Sequence, residues 1–175
     1  MIAITGATGQ LGHHVINSLL KTVPASQIVA IARNPAKAQA LSAQGITVRQ
    51  ADYGDEAALT SALQGVEKLL LISSSEVGQR APQHRNVINA AKAAGVKFIA
   101  YTSLLHADTS PLGLADEHIE TEKMLAVSGI AYTLLRNAGT PKTISPAPRQ
   151  HWSTAYLSVP RAMAKLPQLR ELIMR

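Results

Sequence analysis

The 175 residues contain no cysteine, one phenylalanine, one tryptophan and four tyrosines. Without cysteine neither a disulfide nor a thiolate metal site can form, which fits a reducing compartment. The six histidines show no ligand spacing, and His13 and His14 are adjacent, so no metal site is expected. No apolar run approaches the roughly 18 residues of a membrane span, and no leader pattern precedes the first apolar stretch. A cytoplasmic, membrane-free protein is the expectation. Acidic residues are scarce in one region only. Residues 1–137 hold 11 Lys/Arg and 10 Asp/Glu, whereas residues 138–175 hold six basic residues against Glu171 alone. The net charge of +6 therefore belongs mostly to the end of the chain. The nearly neutral body lacks the clustered basic face that nucleic-acid binding needs.

A hydrophobic content of 46% is enough for one domain with a core. Its pattern starts at once. Met1-Ile-Ala-Ile4 reads as a short buried strand, Gly6-Ala-Thr-Gly9-Gln-Leu-Gly12 as a glycine turn, and Leu11, Val15, Ile16, Leu19 and Leu20 as the apolar side of a helix. Strand, glycine turn and helix in that order form the setting of a dinucleotide fingerprint. Gly6 permits the turn, Gly9 lets backbone approach a pyrophosphate, and Gly12 lets the helix pack closely. The helix N-terminus offers N–H groups and a positive dipole end to the anion.

The pattern then alternates. Strands are expected at 27–32, 46–50, 68–72, 96–102 and 130–135, and helices at 36–43, 56–63, 83–94 and 115–127. Asp55 is placed to cap the helix Glu56 to Leu63, and a polar loop is expected from Ser73 to Pro82. Strands separated by helical patterns imply right-handed βαβ units. The fold expected is α/β, a Rossmann-type doubly wound parallel sheet. After Asn137 the character changes: residues 138–175 carry five of the nine prolines and the tryptophan. The division expected is a nucleotide-binding domain over 1–137 and an irregular, basic, proline-rich tail over 138–175, with a short helix at Leu166–Met174.

Candidate functional residues sit at the carboxyl ends of the strands, where open α/β sheets bind ligands. Arg33, about 20 residues past the glycine motif, stands where an NAD-binding chain places an acidic residue. A guanidinium there suits the 2′-phosphate of NADPH, the alternative being a solvated loop arginine. Asp52 is placed to accept from the adenine amino group, and Ser73, Ser74 and Ser75 to line the nicotinamide-side ribose. Strand five ends at Tyr101-Thr102-Ser103. Short-chain dehydrogenases carry a serine there and a Y-x-x-x-K pair on the next helix. Lys123 matches the lysine, but Ile119 stands four residues before it, so the pair is absent. Ser103 and His118 remain as catalytic candidates. His118 could donate a proton near neutral pH or help hold the cofactor, or form a surface pair with Glu122 one turn on.

TGATGQLG at residues 5–12, the Arg33-Asn34-Pro35 turn, Ser73–Ser75, VINAAKAAGVKFIAYTS at 87–103 and EHIETEKMLAVSGIAYTLLRN at 117–137 together resemble the NmrA-like branch of atypical short-chain dehydrogenases. The resemblance implies NADPH binding through Gly6, Ala7, Thr8, Gly9, Gln10, Leu11, Arg33 and Ser73 to Ser75. It also implies two-electron reduction of a small-molecule quinone, with a homodimer as the assembly to test. His118 takes the place where isoflavone-reductase-like relatives carry a lysine. Family members continue past strand six into a substrate lobe of roughly another hundred residues, which 138–175 does not resemble. The expectation is a changed reading frame with an early stop, the cofactor face kept and the lobe largely missing. Three alternatives follow: an NADPH-dependent quinone reductase, a non-catalytic NADP(H)-sensing module, or a truncated product with impaired activity.

Overall fold

A computed structural model describes residues 1–107 and 113–137. The expectations for 138–175, including the helix at Leu166–Met174, lie outside the described residues. In chain order the elements are β1 (Ile2–Ile4), α1 (Gln10–Leu19), β2 (Ile28–Ala32), α2 (Gln39–Ala43), β3 (Thr47–Gln50), α3 (Glu56–Ala62), β4 (Lys68–Leu71), α4 (Arg80–Ala93), β5 (Phe98–Leu104), α5 (Ala115–Val127) and β6 (Ala131–Asn137). All strand pairs are parallel, in the order β3-β2-β1-β4-β5-β6. The doubly wound α/β expectation holds.

Side-chain alternation sorts the strands between two cores. Ile2, Ile4, Ile28, Ala30 and Leu70 face α1, meeting Val15, Ile16 and Leu19. Ala3, Val29, Ile31, Leu69, Leu71, Ile99 and Tyr101 face the other way, toward Leu59 of α3, Val87, Ile88 and Ala91 of α4 and Leu125 of α5. The inner strands β1, β2 and β4 are covered on both faces, which is why they read as continuous apolar runs rather than alternating ones.

Some boundaries differ from the sequence expectation. The helix expected over 36–43 is split into a 3₁₀ turn at Pro35–Ala38 and then α2. Asn34 accepts from Ala36 N–H, and its carbonyl accepts from Lys37 N–H, an i→i+3 bond that tightens the turn. β5 and β6 each run two residues further than their composition suggested, because Ser103 pairs with Arg136 and Leu104 with Asn137. α4 begins at Arg80, so the polar loop is shorter than Ser73–Pro82. Pro82 lies in the first turn, where a backbone N–H has no helical acceptor and its loss is harmless. Asp55 caps α3 as expected, accepting from Ala58 N–H at 2.9 Å.

Candidate functional site

β1 lies between β2 and β4, and the chain leaves β1 toward one face and β4 toward the other. This is the switch point of the sheet, where a crevice opens beyond the carboxyl ends. Thr5 closes its floor: its Oγ1 donates to Leu70 O at 3.2 Å and accepts from Ile72 N–H at 3.0 Å. The chain then turns at Gly6, whose φ of +60° is costly for any residue with a Cβ. A Cβ built on Gly12 would stand 2.5 Å from Gly6 O and 2.7 Å from Ala7 Cα. The close approach that Gly12 allows is thus to the backbone of the turn itself. The first helical bond of α1 runs from His13 N–H to Gly9 O. The amides of Gln10, Leu11 and Gly12 precede it, and the N-cap Gly9 has no side chain to take them. Asn34 and Asp55 cap their helices, whereas no side chain caps α1, and uncapped amides at a helix N-terminus are the kind of donors an anion takes. A diphosphate suits this cradle.

Arg33, just past β2, lies 65% exposed between two carboxylates. Its Nη1 donates to Glu76 Oε1 at 2.7 Å, and its Nε is 3.8 Å from Asp52 Oδ2. Asp52 Oδ1 accepts from Gly54 N–H at 2.7 Å, so its carboxylate also closes its own turn.

The loop after β4 is tied from below. Ser73 N–H donates to Thr102 Oγ1 at 2.8 Å, Ser74 is buried, and Ser75 is exposed. Ser74 N–H donates to His84 Nε2 at 2.9 Å. That nitrogen is therefore bare, the His84 proton resides on Nδ1, and Nδ1 donates to Thr121 Oγ1, whose hydroxyl donates to Glu117 O. Arg80, the largest fully buried side chain among the described residues, donates from Nε to Ser74 O at 2.8 Å and from Nη1 to Glu117 Oε2 at 3.0 Å. Beneath the loop four rings stand in a row, Tyr53, His84, Tyr101 and His118, with centroids 6.2, 5.3 and 5.8 Å apart. Two of the four tyrosines are spent here.

His118 points into this row, not out at the surface. It is 5% exposed, and its Nδ1 lies 2.6 Å from the Tyr101 hydroxyl. Glu122 does not pair with it as the surface alternative required. Glu122 instead accepts from Ser103 Oγ at 2.6 Å and takes a two-pronged contact from Arg136. Burial raises the Glu122 carboxyl, but Arg136 and Ser103 outweigh it and hold the group below its usual value. Burial, then the Arg80 guanidinium, lowers His118 to about 4 against small opposing effects of Glu117 and Glu122. Burial, Arg80 and His118 lower His84 to about 3. Both imidazoles are neutral at pH 7, so an imidazolium at His118 is not the proton donor near neutral pH that the sequence suggested.

These two rings make stability pH-dependent. The unfolded chain protonates them near 6.5, the folded chain only near 3 and 4. Their contribution is complete above 6.5 and is lost as the pH falls toward 4. The slope approaches about 2.7 kcal/mol per pH unit when both sites count. Urea midpoints measured between about pH 7 and pH 5 should fall accordingly, and a midpoint flat over that range contradicts the burial of both rings.

A family model described as NAD(P)H-binding matches residues 6–151. The chain belongs to the NAD(P)H-binding family. Within that family it is NmrA-like, as its motifs implied. This NAD(P)H-binding chain is 95% identical over 137 residues to quinone oxidoreductase 2 of Escherichia coli K12, which covers 78% of the chain and 48% of the relative. The crystal structure of the NADPH-dependent quinone oxidoreductase of that species, complexed with NADPH, superimposes with a TM-score of 0.76 at 95% identity, covering 78% of this chain and 48% of that one. Triphenylmethane reductase of Citrobacter sp., complexed with NADP(H), is 50% identical with a TM-score of 0.76, covering 78% and 49%. The chain thus spans about half the length of each of these relatives. The family match runs past Asn137, the expected boundary, into residues outside the described ones. Among the described residues no helix is long and apolar enough to cross a membrane.

Arg80, His84, Glu117, Thr121 and Glu76 escaped the sequence reading. One signal was available. Arg80 and His84 extend the stripe of Val87, Ile88 and Ala91 at spacings of four, three, one and three, so the inward face of α4 begins polar. Glu117, Thr121 and Leu125 repeat every four residues on α5 in the same way.

Proposed function

We propose that this chain is the cofactor-binding part of an NADPH-dependent oxidoreductase that reduces quinones by two electrons and works in the cytoplasm. The observation that carries the reading is the uncapped glycine turn at the sheet's switch point, in a chain nearly identical to a quinone oxidoreductase over most of its length. In this reading the backbone of Gly6, Ala7, Thr8, Gly9, Gln10 and Leu11 holds the diphosphate. Arg33 receives the 2′-phosphate, with Asp52 beside it on the adenosine side. Ser73, Ser74 and Ser75 border the nicotinamide ribose. When bound, NADPH supplies the electron pair for the quinone. Ser103 stands at the substrate end of β5, its hydroxyl oriented by Glu122. Neutral His118 contributes by fixing Tyr101 from within the fold.

The second reading, a non-catalytic NADP(H)-binding module, is favoured by one observation. Ile119 stands where a proton-donating tyrosine would, and the neighbouring imidazole is buried and neutral. Oxidation of NADPH in the presence of a simple quinone, followed by the absorbance of the reduced cofactor, separates the two. Turnover supports the reductase; NADPH binding in a calorimeter without turnover supports the module. Replacing Arg33 with alanine should weaken NADPH by about 1.5–3 kcal/mol, the value of hydrogen bonds to a charged group, and leave NADH nearly unchanged. Equal loss for both cofactors refutes the 2′-phosphate assignment.

A further inference from the structure

Arg33 and Glu76 come from opposite sides of β1. Arg33 follows β2, Glu76 lies in the loop after β4, and β1 runs between those two strands. Their ion pair, 2.7 Å long, therefore passes over the carboxyl end of β1, where the glycine turn begins. Glu76 is built into this position. Its Oε2 accepts from Gln83 Nε2 at 2.7 Å, its N–H donates to Ser74 Oγ at 3.2 Å, and its carbonyl accepts from Gln79 N–H at 3.1 Å. Asp52, at 3.8 Å from the same guanidinium, is the more distant of the two carboxylates.

We propose that Glu76 is a specificity-determining residue: it competes with the cofactor's 2′-phosphate for Arg33. The inference rests on the assignment of Arg33 made above. A phosphate monoester brings more negative charge and more acceptor oxygens than one carboxylate, so it wins the guanidinium. It does so only by giving up the Arg33–Glu76 contact. A dinucleotide lacking that phosphate leaves the pair intact. Glu76 thus subtracts from the affinity for NADPH and not from that for NADH. The preference of the chain is the difference between two contacts of one arginine. With the partners 65% and 43% exposed, the subtraction is a factor of at most about five, equivalent to about 1 kcal/mol.

The test is a double-mutant cycle on the full chain, by calorimetric titration with NADPH and NADH at one ionic strength. Glu76→Gln should bind NADPH about two- to fivefold more tightly, with NADH unchanged. In an Arg33→Ala background the same substitution should alter neither cofactor. A gain shared equally by NADPH and NADH overturns the proposal, as does a gain that persists without Arg33. Tight NADPH binding by the unaltered chain with no response to Glu76→Gln overturns the role of Glu76 alone. An unaltered chain that binds neither cofactor overturns the underlying assignment as well.

Discussion

Replacing Arg80 with methionine should destabilise the chain by about 3–5 kcal/mol, the cost of breaking a buried ion pair. For a chain of this size that lowers the melting temperature by roughly 6–20 °C. The arginine is 2% exposed and Glu117 14% exposed, so little water can replace the lost guanidinium. Methionine keeps much of the volume but leaves Ser74 O and Glu117 Oε2 without the donors they have now. The backbone N–H of residue 80 still reaches Glu117 Oε1, which places the loss toward the lower end of the range. The cause can be separated from packing. A second substitution, Glu117→Leu, removes the orphaned carboxylate, and the double variant should recover more than half of the lost stability. A double variant no more stable than Arg80→Met would show that volume, not charge, was lost. Because the same guanidinium anchors the loop of Ser73 to Gln79 onto α5, the single variant should also weaken NADPH binding.

Gly12→Ala should reduce NADPH affinity tenfold or more. A Cβ there would lie 2.5–2.7 Å from Gly6 O, Ala7 Cα and Ala7 O, all backbone atoms with no rotamer to escape into. Either the turn or the first turn of α1 must move, at an overpacking cost of about 1–3 kcal/mol. The movement misaligns the amides of Gln10, Leu11 and Gly12, and each charge-assisted bond lost is worth about 1.5–3 kcal/mol. Gly113→Ala is the matched control: among the described residues nothing lies within 4 Å of its Cβ position. It should leave melting temperature and NADPH affinity as they are. Unaltered NADPH affinity in Gly12→Ala would mean that the diphosphate is held somewhere other than this cradle.

Much of the molecule is legible in the sequence alone. The alternation of apolar stretches with helical stripes specified six parallel strands, because covering both faces of a sheet demands such runs. The glycine spacing at 6, 9 and 12 located the anion cradle, since the strain at Gly6 and the contact at Gly12 arise within seven consecutive residues. The cap at Asp55 was readable for the same reason, its partner being three residues away. Elements failed at their ends. The inward polar side chains Arg80 and His84 broke the apolar signal at the start of α4, and the strand pairing that carries β5 and β6 onward is invisible along either strand alone.

Tertiary structure alone decided which polar groups meet. Arg80 and Glu117 are 37 positions apart, Arg33 and Glu76 are 43 apart, and Ser103 and Glu122 are 19 apart. It also decided that His118 turns inward to Tyr101, losing its charge to burial rather than keeping it near neutral pH. The physical reason is range. Periodicity, turns and caps are local interactions that composition and spacing encode directly. The choice of partner for a charge depends on strand order, and strand order is settled by how the whole sheet buries its two faces.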